Sequence, residues 1–302
     1  MDAAGEPAGD CLRVRPLRTR LLEARQRTGH SSQVIERDYL LSWILAGISR
    51  TPALGGALVF KGGTALKKCY FGDYRFSEDL DFTGMEGTPT GVELEQLFGE
   101  VCEAAADMLD EFADIEIGCR RYTEREPHPG GQEAFDVHAT YPWQSQPYTR
   151  VRIEITLDEP ILWPVESRAV IHDYEEPLQA VIQTYSLEEI IAEKLRAVLQ
   201  QTRALRERGW TRSRARDYYG IWRILRNYRS QLVLTDFGSL LSEKCSVRDV
   251  GYSSPEDFFP QEMLSYVAGR WSDSLGPLVE DLPRYETVIN ELRPEVGRML
   301  ES

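Results

Sequence analysis

Two carboxylates one residue apart open the chemistry of this chain. In Ser77-Glu78-Asp79-Leu80-Asp81-Phe82, the alternation of a strand puts Ser77, Asp79 and Asp81 on one face and Leu80 and Phe82 on the other. Leu80 and Phe82 read as core, which leaves two acids about 7 Å apart beside a hydroxyl. Ionised acids that close repel each other, and a divalent cation between them relieves the repulsion. Carboxylate, phosphate and water oxygens are the ligands with which Mg²⁺ is usually held. An exposed edge strand carrying solubilising charge would read the same way. A third acid, Glu154, lies in a run over residues 150–157 where Val151, Ile153, Ile155 and Leu157 alternate with Arg152, Glu154 and Thr156. If that strand pairs beside the first with the same face outward, Glu154 completes a carboxylate triad. Such a triad suits two metals, one activating an attacking hydroxyl and one gathering a triphosphate. A plain solvent face would look identical.

Upstream, Phe60-Lys61-Gly62-Gly63-Thr64-Ala65-Leu66 joins a strand to a helix. Paired glycines let the backbone approach a ligand, and a helix N-terminus presents free N–H groups. This makes a phosphate cradle with Lys61 and Thr64 as further contacts, or simply a turn; it is not a Walker loop. Farther on, Leu187, Ile190, Ile191, Leu195 and Val198 fall on one helical arc with Lys194 inside it. A lysine on a buried stripe either snorkels out or meets an anion. Asp217, flanked on its helix face by Ile221 and Ile224, is the obvious partner. The pair is either a structural salt bridge or a functional one, with Lys194 on a nucleotide phosphate and Asp217 placing it or accepting a proton.

The elements that must position these groups fall into two halves. A helix over residues 18–49 precedes a strand at 57–60, the Gly-Gly turn and a short helix over 65–70. A strand over 77–83, an amphipathic helix over 91–112 and strands over 114–122, 134–141 and 150–157 follow, with a turn at 127–131. Short runs at 168–172 and 179–183 are expected as edge strands. Ser186-Leu187-Glu188-Glu189 reads as a capping box that starts a helix, and from there the pattern is helical, with breaks near Gly209, 251–260 and Pro283. The expected organisation is a loose N-terminus (1–18), an α+β domain (19–180) and a helical bundle (181–302).

The 302 residues carry a net charge of −14, which disfavours nucleic-acid binding in bulk. Between Lys194 and Arg229, however, eleven basic residues face two acids, a net of +9 that leaves −23 on the rest. Arg203, Arg206, Arg208, Arg212, Arg214 and Arg216 form the centre of this strip, which suits forked phosphate contacts. A solvated face paired to acids elsewhere is the plainer reading. No apolar run is long enough to span a membrane and no secretion signal is evident. Five scattered cysteines, none in C-x-x-C spacing, fit a reducing cytoplasm and argue against zinc or a disulfide framework. Four dispersed histidines offer no Ser-His-Asp arrangement.

The Phe60–Leu66 and Arg75–Phe82 segments together resemble the AbiEii/AbiGii-type nucleotidyltransferase toxins, a group that includes the MenT toxins. Glu188-Glu189-Ile190-Ile191-Ala192-Glu193-Lys194-Leu195 and Arg216-Asp217-Tyr218-Tyr219 look like the family's helical-half motifs. The last motif usually continues to a second acid (R-D-x-x-D-L), where this chain has Gly220, so no role is carried to that position. The resemblance implies a DNA polymerase β-like nucleotidyltransferase lobe followed by an all-helical lobe, Mg²⁺, an NTP donor and a cognate antitoxin. It implies functional roles for Ser77, Asp79, Asp81, Lys61, Lys194 and Asp217. It also implies a toxin–antitoxin or phage-defence role, in which transfer to an RNA 3′ end, above all the tRNA acceptor end, blocks translation. Transfer to a protein hydroxyl or a small molecule, and nucleotide or RNA binding without turnover, are the alternatives. A phosphoryl group on Ser77 or Thr64 would block the NTP by adding negative charge.

Overall fold

A computed structural model describes residues 14–122 and 132–301. Cys11, the first thirteen residues of the 1–18 segment and the turn at 127–131 lie outside the described residues. Seven strands are β1 (Leu58–Lys61), β2 (Asp79–Gly84), β3 (Glu116–Arg121), β4 (Gln132–Thr140), β5 (Thr149–Thr156), β6 (Glu166–Ala169) and β7 (Val181–Thr184). They form one mixed sheet in the order β3-β4-β5-β2-β1-β7-β6. The strand bearing Asp79 and Asp81 is therefore central, with β1 antiparallel on one side and β5 parallel on the other. Leu80 and Phe82 are fully buried, and the Phe82 ring lies 5.1 Å from that of Phe60 on β1. Burying such a side chain is worth about 2 kcal/mol, which fixes the register and sends the aspartates to the opposite face.

Two strand expectations need correction. β6 is an edge, but β7 is internal, pairing with β1 on one side and β6 on the other. Because β7 begins at Val181, the sheet runs past residue 180. Ser77 also precedes β2 instead of lying within it, so strand alternation does not orient its side chain.

The helix expected over 18–49 is two, α1 (Leu17–Thr28) and α2 (Ser32–Arg50). Gly29, at φ 69°, closes α1 with its N–H on the Arg25 carbonyl, and Ser31 caps α2. After α3 (Pro52–Gly55) and β1, α4 (Gly62–Ala65) runs into a π-type turn over Leu66–Tyr70. The long α5 (Gly91–Asp110) packs on α2 and the sheet, with Phe98 stacked 4.5 Å from Phe135 of β4. Beyond Thr184 every element is helical: α6 (Leu187–Arg208), α7 (Ala215–Tyr228), α8 (Phe237–Ser246), a 3₁₀ turn (Pro255–Phe258), α9 (Gln261–Ala268), α10 (Trp271–Leu275) and α11 (Tyr285–Leu300). Ser186 caps α6, accepting the Glu189 N–H at 3.2 Å. The reciprocal half of the expected capping box is missing, because the Glu189 carboxylate accepts the N–H groups of Leu162 and Trp163 and pairs with Lys244 at 2.7 Å. Among the described residues no helix is long and apolar enough to cross a membrane.

Candidate active site

The sheet side of the site is set by strand register. The β2–β5 pairing matches Asp81 to Glu154 and Asp79 to Arg152, while the β1–β2 pairing matches Asp81 to Lys61. Glu154 thus stands beside Asp81 on one face, as the sequence pattern anticipates. The Gly62–Gly63 turn closes over them. Gly62 has φ 80°, and a Cβ there would lie 2.6 Å from Oδ2 of Asp81; a Cβ on Gly63 would lie 2.3 Å from Nη2 of Arg75. Glycine is required at both places, once by backbone conformation and twice by close approach.

The electrostatics of this side are unbalanced. Burial, Glu154 and Asp79 push the Asp81 carboxyl up to about 7, with Lys61 opposing. Asp79, exposed at the rim, is also raised, by partial loss of water and by Glu154 and Glu78, against Arg37 and Arg216. Acids that resist ionisation because of other acids leave a demand for a cation. The donors are all hard oxygens, which fits Mg²⁺ and not a soft metal. Among the described residues no group of three or more Asp, Glu, His or Cys side chains is arranged to hold a metal alone. The donors fit Mg²⁺ by their chemistry, and an ion held by Asp79, Asp81 and Glu154 would need phosphate and water oxygens as its remaining ligands.

The other turn residues are already engaged. The Thr64 hydroxyl is buried and donates to the Asp79 carbonyl at 2.5 Å, tying the turn to the start of β2. That placement leaves it neither facing a phosphate nor accessible for modification. Lys61 is buried and bonds Glu193 of α6 at 3.4 Å. Burial alone would raise the Glu193 carboxyl, but Lys61, Lys244 and Arg196 hold it below the usual range. The fully buried Lys244 also meets Glu189 and Glu159, so a chain of ion pairs runs from α8 to the edge of the site.

On the helical side, Lys194 of α6 donates to Asp217 of α7 at 2.9 Å, and Arg214 donates to the second Asp217 oxygen at 3.0 Å. Burial would push Asp217 up, yet these two cations hold it at about 2. Gly220 lies one turn along α7, where a Cβ would meet the Tyr74 hydroxyl at 2.8 Å and Cε of Lys194 at 3.0 Å. Any side chain at that position would displace the lysine. Arg216 faces Asp79 and Glu78; partial loss of water and the like charge of Arg75 lower its pKa. Arg75, packed on Gly63, and Arg216, facing Asp79, thus lie between the acids of β2 and the helix that carries Asp217.

Sequence reasoning missed Arg75 over Gly63, Glu193 behind Lys61, and Arg37, which bonds Glu78. Arg75 stands two residues before Ser77, a charged residue in an otherwise aromatic stretch, and that was its one local signal. The basic strip divides on inspection. Arg203 is committed to Asp249, Arg206 to Glu262 and Arg214 to Asp217. Arg208 and Arg212 are exposed, with no ion-pair partner among the described residues, and Arg216 faces Asp79.

The profile of the family described as "Nucleotidyl transferase AbiEii toxin, Type IV TA system" matches residues 43–299, which span the glycine turn, all three acids, α6 and α7. The solved structure of MenT4, a nucleotidyltransferase toxin from Mycobacterium tuberculosis H37Rv, has a similar fold, with a TM-score of 0.57 over 93% of this chain and 88% of that chain, at 21% identity. No curated protein matches.

Proposed function

The chain belongs to the AbiEii nucleotidyltransferase toxin family of type IV toxin–antitoxin systems, and from that premise we propose a Mg²⁺-dependent transfer of NMP from an NTP to an RNA 3′ end, the tRNA acceptor end, in the cytoplasm. We read the segment through Thr184 as a polymerase β-like lobe and the segment from Leu187 as a helical lobe, with the candidate site between them. One observation carries this reading: Asp81, Asp79 and Glu154 share the face of β2 and β5 closed by the Gly62–Gly63 turn.

Asp79 and Asp81, with Glu154 beside them, would hold Mg²⁺, which when bound neutralises triphosphate charge and lowers the pKa of an attacking hydroxyl. The Gly62–Gly63 turn would bring backbone N–H groups to the phosphates, with the Arg75 guanidinium packed against Gly63 as a further donor. Ser77 stands at the mouth as a further hydroxyl donor. Lys194, oriented by Asp217, offers its ammonium to the leaving phosphates, and Arg75 and Arg216 add charge at the rim. Lys61, locked on Glu193, keeps Asp81 from being wholly unpaired. The 3′-hydroxyl of the RNA attacks the α-phosphorus and pyrophosphate leaves; the pairing of Lys194 with Asp217 makes a positioning role fit better than proton acceptance.

Incubation with each labelled NTP, Mg²⁺ and total RNA tests the proposal. Label in tRNA, lost with Asp79→Asn, is the expected result. Label in no RNA with any of the four nucleotides would overturn it, and label running with protein or small molecules would redirect it to another acceptor.

A further inference from the structure

Trp210 is 63% exposed in the loop between α6 and α7. The loop is anchored. Gly209 ends α6 with its N–H on the Leu205 carbonyl at 2.9 Å. Thr211 is buried, donates its hydroxyl to Gln201 at 2.5 Å, and accepts the Tyr266 hydroxyl on its carbonyl at 2.5 Å. Trp210 is thus held in solvent between two fixed neighbours. Arg208 and Arg212, both exposed and without an ion-pair partner among the described residues, stand two positions to either side of it. Four residues beyond Trp210, Arg214 bonds Asp217, so no more than about 18 Å of extended chain separates the ring from the start of α7.

We propose that Trp210 is a stacking platform for an unpaired base of the RNA acceptor, with Arg208 and Arg212 on the flanking phosphates. The inference rests on the RNA-transfer reading above. Every base presents a π-face, so a fixed exposed indole between free guanidinium groups suits single-stranded RNA without demanding a sequence. An antitoxin surface is the competing occupant, but the exposed cations at Arg208 and Arg212 favour a polyanion over an interface core depleted in charge.

Stacking and phosphate pairing respond differently to salt, which makes the proposal separable. In an Asp79→Asn background, binding of fluorescein-labelled tRNA is measured across salt concentrations. Trp210→Ala is expected to weaken binding about tenfold at every salt concentration, leaving the slope of log K against log salt unchanged. Trp210→Phe is expected to restore most of the loss, and annealing the 3′ end to a complement is expected to abolish the difference. Arg208→Gln and Arg212→Gln should each flatten the slope by about 0.7. Unchanged tRNA binding by Trp210→Ala, beside an Asp79→Asn parent that binds RNA and a wild-type protein that labels it, overturns this inference alone, as does a Trp210→Ala defect confined to antitoxin binding. A parent that neither binds nor labels RNA overturns the proposed function with it.

Discussion

Asp81 and Asp217 are the same residue type on the two sides of the candidate site, and their surroundings drive them in opposite directions. On the sheet side, Asp81 is crowded by burial, Glu154 and Asp79 and rises to about 7. On the helical side, burial acts on Asp217 too, but Lys194 and Arg214 outweigh it and hold the group at about 2. Burial is common to both, so the sign is decided by the neighbours' charge. The sheet side carries acids that Lys61 offsets only in part. The helical side holds two cations against one acid, so its contribution is a positive charge held in a fixed place. One wall is built to bind and the other to position.

The strongest way to break this contrast is to neutralise the sheet side. Asp79→Asn and Asp81→Asn are each expected to cut nucleotide transfer by about a thousandfold or more, since stabilising phosphoryl charge is the main catalytic term. Neither should lower thermal stability, because each removes repulsion instead of a bond. Steady-state transfer and a thermal melt of the same sample check this. A melting temperature that falls by several degrees with Asp81→Asn would make the acid a structural group.

The helical side should fail in the other order. Lys194→Met leaves the Asp217 carboxylate buried against Arg214 alone, and loss of about 3 kcal/mol of stability is expected. The double variant Lys194→Met/Asp217→Asn removes both charges and should recover most of that stability while transfer stays lost. Urea unfolding of the two single variants and the double separates them. If the double variant regains activity with stability, Lys194 is a brace and touches no phosphate.

What could be read from the chain follows the range of the forces. The alternation in 150–157 pointed to Glu154, and the lone lysine on the α6 stripe pointed to Asp217, because periodicity and unpaired charge are local signals. The break between α1 and α2 was also local, in Gly29 and Ser31, yet the apolar spacing ran through it unchanged. Arg75 over Gly63 was invisible because a buried guanidinium at a turn depends on how the 71–76 loop folds back. The pairing of Lys61 with Glu193 was hidden for the same reason: residues 132 positions apart meet only once α6 docks. The strip of arginines was legible as charge but not as partners, and half of its central six proved to be tied to acids.

Acid unfolding sharpens the comparison from the helical side. Asp217 holds a folded pKa of about 2, against about 3.9 for an unfolded aspartate. A depressed pKa means that the folded state favours the ionised form. The stabilisation is therefore complete above about pH 5 and fades as pH falls through 4 toward 2. Its full size is about 2.6 kcal/mol. Asp81 has the opposite sign: with its pKa raised, it withholds stability as pH climbs from about 4 to 7, so it cannot account for a loss on the acid limb. Urea unfolding at pH 5 and pH 3 should show the parent losing more stability than Asp217→Asn, with the difference approaching 2 kcal/mol at the lowest pH at which both still fold. Equal losses would mean that Lys194 and Arg214 do not hold the carboxylate in solution, and the wall described as internally paired would have to be treated as open.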